Sequence, residues 1–193
     1  MENEIEYRDI DLTEIRLISE GDKKPLIRGY AAVFDKFSED LGGFIEKVAR
    51  GAFQKSLKSD DVRALFNHEA NYVLGRTRSG TLRMAEDDNG LAIEIDPPDT
   101  QWARDLQVSI GRRDISQMSF GFRVVSDDWK HVNGKASERT LIEVRLFDIS
   151  PVTFPAYPQT TVKVRDYLKS LGEGGVPETV HVPDLDALRF KIR

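Results

Sequence analysis

Residues 115–123 read ISQMSFGFR, and the rest of the chain is organised around this stretch. Met118, Phe120 and Phe122 predict a core strand, because large apolar side chains at this spacing are typical of a buried β element. Ser119 lies between them as a small hydroxyl, with a glycine two positions later. Packing alone does not require a hydroxyl there, so Ser119 is a candidate nucleophile.

The strand after this stretch supplies candidate acids. Asn133-Gly134 lies between two strand-like runs and predicts a two-residue hairpin. A regular hairpin places Asp148 opposite Ser119 and on the same face of the sheet. Glu143, an odd number of residues from Asp148, then points to the other face, and a single bulge reverses that parity. We therefore expect Asp148 to be the acid, with Glu143 as the alternative.

A serine hydroxyl needs a nearby base, and the three histidines of the chain are His68, His131 and His181. His131 lies twelve residues along the strand from Ser119, which is roughly 40 Å when extended. His181 follows a glycine-rich linker. His68, at the end of a predicted core strand over 62–68, is the base by elimination.

Each candidate also has an ordinary structural explanation. Strand serines are common, a histidine at a strand end is usually hydrogen-bonded scaffold, and Asp148 before Ile149-Ser150-Pro151 is typical of a turn. Taken alone, these residues predict a soluble, mostly β domain with a possible site.

The remaining pattern predicts further strands and two helices. Apolar residues every fourth position from Ala49 indicate a short helix, and Asp99 or Thr100 caps a second that ends at a left-handed Gly111. The further strands are an edge strand over 5–18, a buried strand over 26–34, and shorter strands over 72–76, 81–85 and 91–95.

Composition excludes several classes of function. A net charge of −5 argues against a nucleic-acid surface, and zero cysteines exclude disulfides, thiolate catalysis and cysteine zinc sites. We expect no metal and no cofactor. No apolar run approaches the length of a membrane span, and the acidic start is unlike a secretory signal, so we expect a cytoplasmic protein.

The last residues predict a separable tail. GEGGVP at 172–177 is typical of a linker, and a short apolar pattern follows it. We therefore expect one domain over residues 1–168 and a linker with a C-terminal tail over 169–193.

Four blocks of the sequence, in this order, resemble the signature blocks of the tailed-phage prohead proteases. The blocks are GYAAVF at 29–34, ALFNHE at 64–69 with VLGR at 73–76, MSFGF at 118–122, and DISPVTFPAY at 148–157. Each block is weak alone, but their succession is specific, and the resemblance covers roughly residues 26–168.

The resemblance implies a serine endopeptidase that matures a phage procapsid. Such a protease cleaves the scaffolding segment from the major capsid protein and also cleaves itself. Its partners would be that capsid protein, its scaffolding segment and a second copy of itself as a possible homodimer, without nucleic acid or membrane. Its place would be the host cytoplasm, inside the assembling procapsid. The implied fold is an antiparallel β-barrel with surrounding helices, similar to herpesvirus assemblin.

The family's serine and histidine correspond to Ser119 and His68. Assemblins use a second histidine as the third member, and this chain has none at a suitable position. An acid must therefore substitute, with Asp148 favoured over Glu143. The alternative function is a non-catalytic capsid-assembly or scaffolding module with the same barrel, which would tolerate Ser119→Ala.

Overall fold

The computed structural model describes residues 4–9, 15–18, 24–131 and 136–154, and this part contains ten strands and two helices. The strands are β1 (Glu6–Asp9), β2 (Ile15–Ile18), β3 (Leu26–Val33), β4 (Phe44–Val48), β5 (Arg63–Phe66), β6 (Glu69–Arg76), β7 (Leu82–Glu86), β8 (Gly90–Ile95), β9 (Gln117–Lys130) and β10 (Ser137–Val152). The helices are α1 (Gln54–Ser59) and α2 (Gln101–Gly111). Neither helix is long and apolar enough to cross a membrane.

The larger sheet is built on the long antiparallel pair β9 and β10. Its hydrogen-bonded order is β1-β9-β10-β5-β6, and β4 also pairs with β10. Both β4 and β5 run parallel to β10, β4 along its first residues and β5 near Asp148 and Ile149. The end of β10 is therefore held between β9 and β5, which leads into the turn that carries His68.

The smaller sheet has the order β2-β3-β8-β7 and is antiparallel throughout. One hydrophobic core joins residues of both sheets and of α2 with Phe53 before α1, among them Ile27, Ile93, Leu106 and Leu146, and Leu57 of α1 packs against it. All five residues from Met118 to Phe122 are buried, so the Ser119 stretch of β9 is covered on both faces. Burying a side chain such as Phe120 contributes about 2 kcal/mol, and this core holds Ser119 in place.

The prediction of a mainly β fold with helices is confirmed, whereas the closed barrel is not found. In the described residues the strands form two open sheets. The free edges of the larger sheet are formed by β1, β6 and β4, and in the part of the chain that the structure describes none of them forms a ladder with a strand of the smaller sheet. An isolated parallel bridge between Phe34 and Val48 links the end of β3 to β4. The likeness to assemblin stays a prediction.

Two local predictions were wrong. The single edge strand over 5–18 is two strands, β1 in the larger sheet and β2 in the smaller, because alternation does not reveal which sheet a segment joins. Helix α2 does end at Gly111, but the left-handed residue after it is Arg113, with φ of 67°. The Asn133-Gly134 turn, the boundary at 168 and the tail over 169–193 lie outside the described residues.

Candidate active site

His68 lies in a two-residue turn between β5 and β6. Phe66 pairs with Glu69, and the two residues between them, Asn67 and His68, have φ of 52° and 58°. Such a hairpin turn needs positive φ at both central positions, and asparagine and histidine are among the side chains that tolerate it best. The sequence placed His68 at the end of a strand, but the turn directs its ring back over the sheet.

Hydrogen bonds tie this turn to the end of β10. The Asn67 backbone N–H donates to Pro151 O (3.0 Å), and its side chain accepts from the Thr153 N–H (2.9 Å) and donates to Thr153 Oγ1 (3.2 Å). The His68 N–H donates to Ser150 Oγ (3.2 Å). The backbone that carries the imidazole is therefore held by the strand that carries Asp148.

Ser119, His68 and Asp148 form one line of hydrogen bonds. His68 Nδ1 lies 2.6 Å from Asp148 Oδ2, and His68 Nε2 lies 2.7 Å from Ser119 Oγ. An ionised carboxylate only accepts, so the proton of the neutral imidazole is on Nδ1. The lone pair of Nε2 then faces Ser119, whose hydroxyl donates to it. This arrangement can take the proton of Ser119 as its oxygen attacks an electrophile.

The predicted register of β9 and β10 was wrong by two residues at the site. Ser119 lies opposite Ser150, and Asp148 lies opposite Gly121. One residue of this offset is already present where Glu138 pairs with Lys130, and the irregularities after Leu141, Glu143 and Leu146 together add the second. Asp148 nevertheless reaches the same imidazole as Ser119, as expected from their common face.

Glu143, the alternative acid, does not lie beside His68. Its carboxylate accepts a hydrogen bond from Lys55 Nζ (2.6 Å). His131 is exposed, with its Nδ1 3.1 Å from Ser137 Oγ, and His181 is outside the described residues. Of the candidate acids, the structure brings Asp148 to the imidazole.

Ser119 and His68 line an open cleft, and Asp148 is not part of its lining. Ser119 is only 1% exposed and Asp148 6%, whereas the His68 side chain is 19% exposed. The cleft has a volume of about 370 Å³ and is lined by Tyr7, Asn67, His68, Ser119, Val152, Thr153 and Phe154. A chain segment in this cleft would lie beside both Ser119 and His68.

Tyr7 of β1 forms one wall of this cleft. Its ring centroid lies 4.4 Å from that of His68, and the planes meet at 58°. Burial, followed by the negative charge of Asp148, raises the pKa of the Tyr7 phenol above its ordinary value. The phenol is therefore neutral at physiological pH and covers the imidazole without adding charge.

Gly121 provides the space that Asp148 occupies. A Cβ at this position would overlap Asp148 Oδ1 and would lie 2.8 Å from Tyr7 Cε1. Position 121 therefore requires glycine because the Asp148 carboxylate and the Tyr7 ring lie close to its backbone, not because of its backbone conformation.

Several residues of the site were not predicted as such: Tyr7, Asn67, Gly121 and Ser150. For Ser150 a signal existed, since a residue two positions from Asp148 in a strand shares its face. No signal in the sequence could assign Tyr7, because β1 meets β9 only in the tertiary structure.

Comparisons with known proteins identify a family and a similar fold. The sequence pattern of a family described as caudovirus prohead serine protease matches residues 11–171. Among solved structures, the capsid assembly protease gp21 of bacteriophage T4 is similar, with a TM-score of 0.52 and 12% identity. That match covers 80% of this chain and 100% of the phage T4 chain, and at this identity it bears on the fold alone. No curated protein matches this chain.

Proposed function

Because this chain belongs to the family of caudovirus prohead serine proteases, we propose that it is the endopeptidase that matures a phage procapsid. Its substrates are the scaffolding segment of the major capsid protein and the chain itself. The observation that carries the proposal is the unbroken hydrogen-bonded line from Ser119 through His68 to Asp148 beside an open cleft. The protease acts inside the assembling procapsid, in the cytoplasm of the host.

The mechanism begins with transfer of the Ser119 proton to His68 Nε2. Ser119 Oγ forms a bond to the carbonyl carbon of the scissile peptide, and the resulting tetrahedral intermediate collapses. The C–N bond breaks, the amine leaves with the proton that His68 carried, and an acyl-enzyme remains. A water molecule then gives its proton to His68, hydrolyses the ester, and restores the Ser119 hydroxyl.

Asp148 keeps the imidazole in the reactive tautomer throughout this cycle. Its carboxylate accepts the Nδ1 proton and stabilises the imidazolium that forms when Nε2 is protonated. The short distance and the burial of Asp148 strengthen this interaction, because little water competes for the carboxylate.

The test is co-expression of the chain with the capsid protein encoded beside it, with the products measured by intact mass. We expect cleavage of the capsid protein with the unaltered chain and no cleavage with Ser119→Ala or His68→Ala. His131→Ala is the matched control, since this histidine is exposed and far from the cleft, and it should cleave normally.

Two outcomes would contradict the proposal. Cleavage that survives Ser119→Ala would exclude this serine as the nucleophile. Normal capsids without cleavage in any sample would favour the non-catalytic assembly module, which needs no serine hydroxyl.

A further inference from the structure

Ser150 is a completely buried serine whose hydroxyl connects two parts of the site. Its Oγ donates to Asp148 Oδ2 (2.9 Å) and accepts the backbone N–H of His68 (3.2 Å). The same carboxylate oxygen, Asp148 Oδ2, also accepts the His68 Nδ1 proton. A single hydroxyl thus contacts both the acid and the backbone of the base.

Strand geometry explains why this position can make both contacts. Ser150 lies two residues after Asp148, so the two side chains project from the same face of β10. It also lies directly opposite Ser119 on β9. Its side chain is therefore next to the nucleophile's strand, the acid and the His68 turn.

The Ser150 hydroxyl acts both as a hydrogen-bond donor and as an acceptor. The carboxylate of Asp148 accepts only, so the Ser150 hydroxyl must be the donor, which leaves its oxygen free to accept from His68. His68 has a positive φ, a conformation that persists only where surrounding contacts hold it. The bond to Ser150 is one of those contacts.

We propose that Ser150 is a positioning residue of the protease, which fixes the Asp148 carboxylate and the His68 backbone relative to each other. The inference rests on the proposed function. If Ser150 has this role, removal of its hydroxyl slows the reaction of Ser119, even though Ser119, His68 and Asp148 themselves are unchanged.

Ser150→Ala is the first test. The substitution removes one donor from Asp148 and leaves the His68 N–H without its acceptor, so the imidazole loses its fixed orientation toward Ser119. Misplacement of a catalytic group by about 1 Å can lower a rate about 10²-fold, so we expect the labelling rate to fall by about 10- to 100-fold.

The rate is measured with a fluorophosphonate, which requires no knowledge of the cleavage site. Ser119 Oγ forms a bond to phosphorus, the P–F bond breaks, fluoride leaves, and the hydroxyl proton passes through His68. Intact mass gives the labelled fraction with time, and Ser119→Ala identifies the labelled residue.

Ser56→Ala is the matched control. Ser56 on α1 is also buried, donates to a carboxylate, Asp60 (2.9 Å), and accepts a backbone N–H of β10, that of Leu146 (2.9 Å). It lines no part of the cleft. Both substitutions remove the same kinds of hydrogen bond, so we expect similar losses of melting temperature but a lower labelling rate only for Ser150→Ala.

A spectroscopic signal separates positioning from general destabilisation. The proton on His68 Nδ1, in its short bond to Asp148, should resonate at low field in the proton NMR spectrum. We expect this resonance to move or broaden in Ser150→Ala and to stay unchanged in Ser56→Ala. If Ser150→Ala does not fold, Ser150→Cys fills the site with a slightly larger side chain that is only a weak donor, and a loss of rate and a shift of the resonance in the same direction are expected.

The outcomes distinguish this inference from the proposed function. A wild-type chain that the fluorophosphonate does not label would overturn the proposed function, and the inference with it. A labelled wild type together with Ser150→Ala at the same rate, or with equal losses in Ser56→Ala, would overturn the inference alone.

Discussion

The substitution Gly121→Ala tests the geometry of the site with a single methyl group. Gly121 has no positive φ, so alanine fits its backbone and only the space beside it is at issue. The new Cβ would overlap Asp148 Oδ1 and lie 2.8 Å from Tyr7 Cε1, whereas Cβ contacts below 3.0 Å essentially do not occur. The carboxylate must therefore move.

The size of the effect follows from that movement. Asp148 must shift by at least about half an ångström, away from a hydrogen bond to His68 of 2.6 Å. Misplacement of a catalytic group by about 1 Å can lower a rate about 10²-fold, so we expect a loss approaching that size. Overpacking of a buried site should also lower the free energy of unfolding by about 1–3 kcal/mol.

The assay is fluorophosphonate labelling of Ser119, with thermal unfolding measured in parallel. Gly75→Ala is the matched control, because its Cβ would lie 2.7 Å from Thr81 O, at the end of β6 away from His68. It should lower the melting temperature but leave the labelling rate of the folded protein unchanged. Labelling of Gly121→Ala at the wild-type rate, with an unchanged melting temperature, would refute the reasoning.

Three further predictions concern charged groups. Asp148→Asn should lower the labelling rate about 10⁴-fold by disturbing the tautomer of the base, whereas Glu143→Gln, remote from the imidazole, should label normally. The hydrogen bond from Arg76 lowers the pKa of Asp61 to about 2, from an ordinary value of about 4. The contribution of this pair to the free energy of unfolding is therefore complete above about pH 4 and is lost as the pH falls toward 2. The melting-temperature difference between wild type and Asp61→Asn should accordingly be full at neutral pH and vanish near pH 2; a difference that grows on acidification would contradict this sign. Arg139→Gln removes one of the two arginines that pair with the buried Glu46, together with the contacts to the half-buried Glu6 and Asp127, and should lower the free energy of unfolding in urea by up to about 3 kcal/mol; an unchanged urea midpoint would show that this cluster stabilises nothing.

The Arg139 cluster also matters for the site because it anchors β1. Arg139 donates to Glu6 of this strand (2.9 Å) and to the buried Glu46 of β4 (3.0 Å), and Arg8 of β1 also donates to Glu46 (2.8 Å). Burial raises the pKa of the Glu46 carboxyl, although the two arginines oppose this effect. The ion pairs thereby hold Tyr7, which lies between Glu6 and Arg8, against His68.

The local sequence determined the identities of the candidate residues and most of the elements. Alternation around Ser119 marked a buried strand, elimination among three histidines selected His68, and the common face of one strand pair selected Asp148. The structure brings these three side chains together, and each inference depended on short-range periodicity or on distance along the chain.

The tertiary structure alone decided how the groups meet. Ser119 pairs with Ser150 rather than with Asp148, because the strands already pair one residue off the predicted register at Glu138 and the irregularities of β10 add one more, and no local pattern records either offset. The positive φ of His68, the cover by Tyr7 and the space at Gly121 depend on contacts between segments far apart in sequence. Whether the sheets close was likewise decided by which strands pair across the fold, a set of long-range contacts that composition and periodicity do not encode.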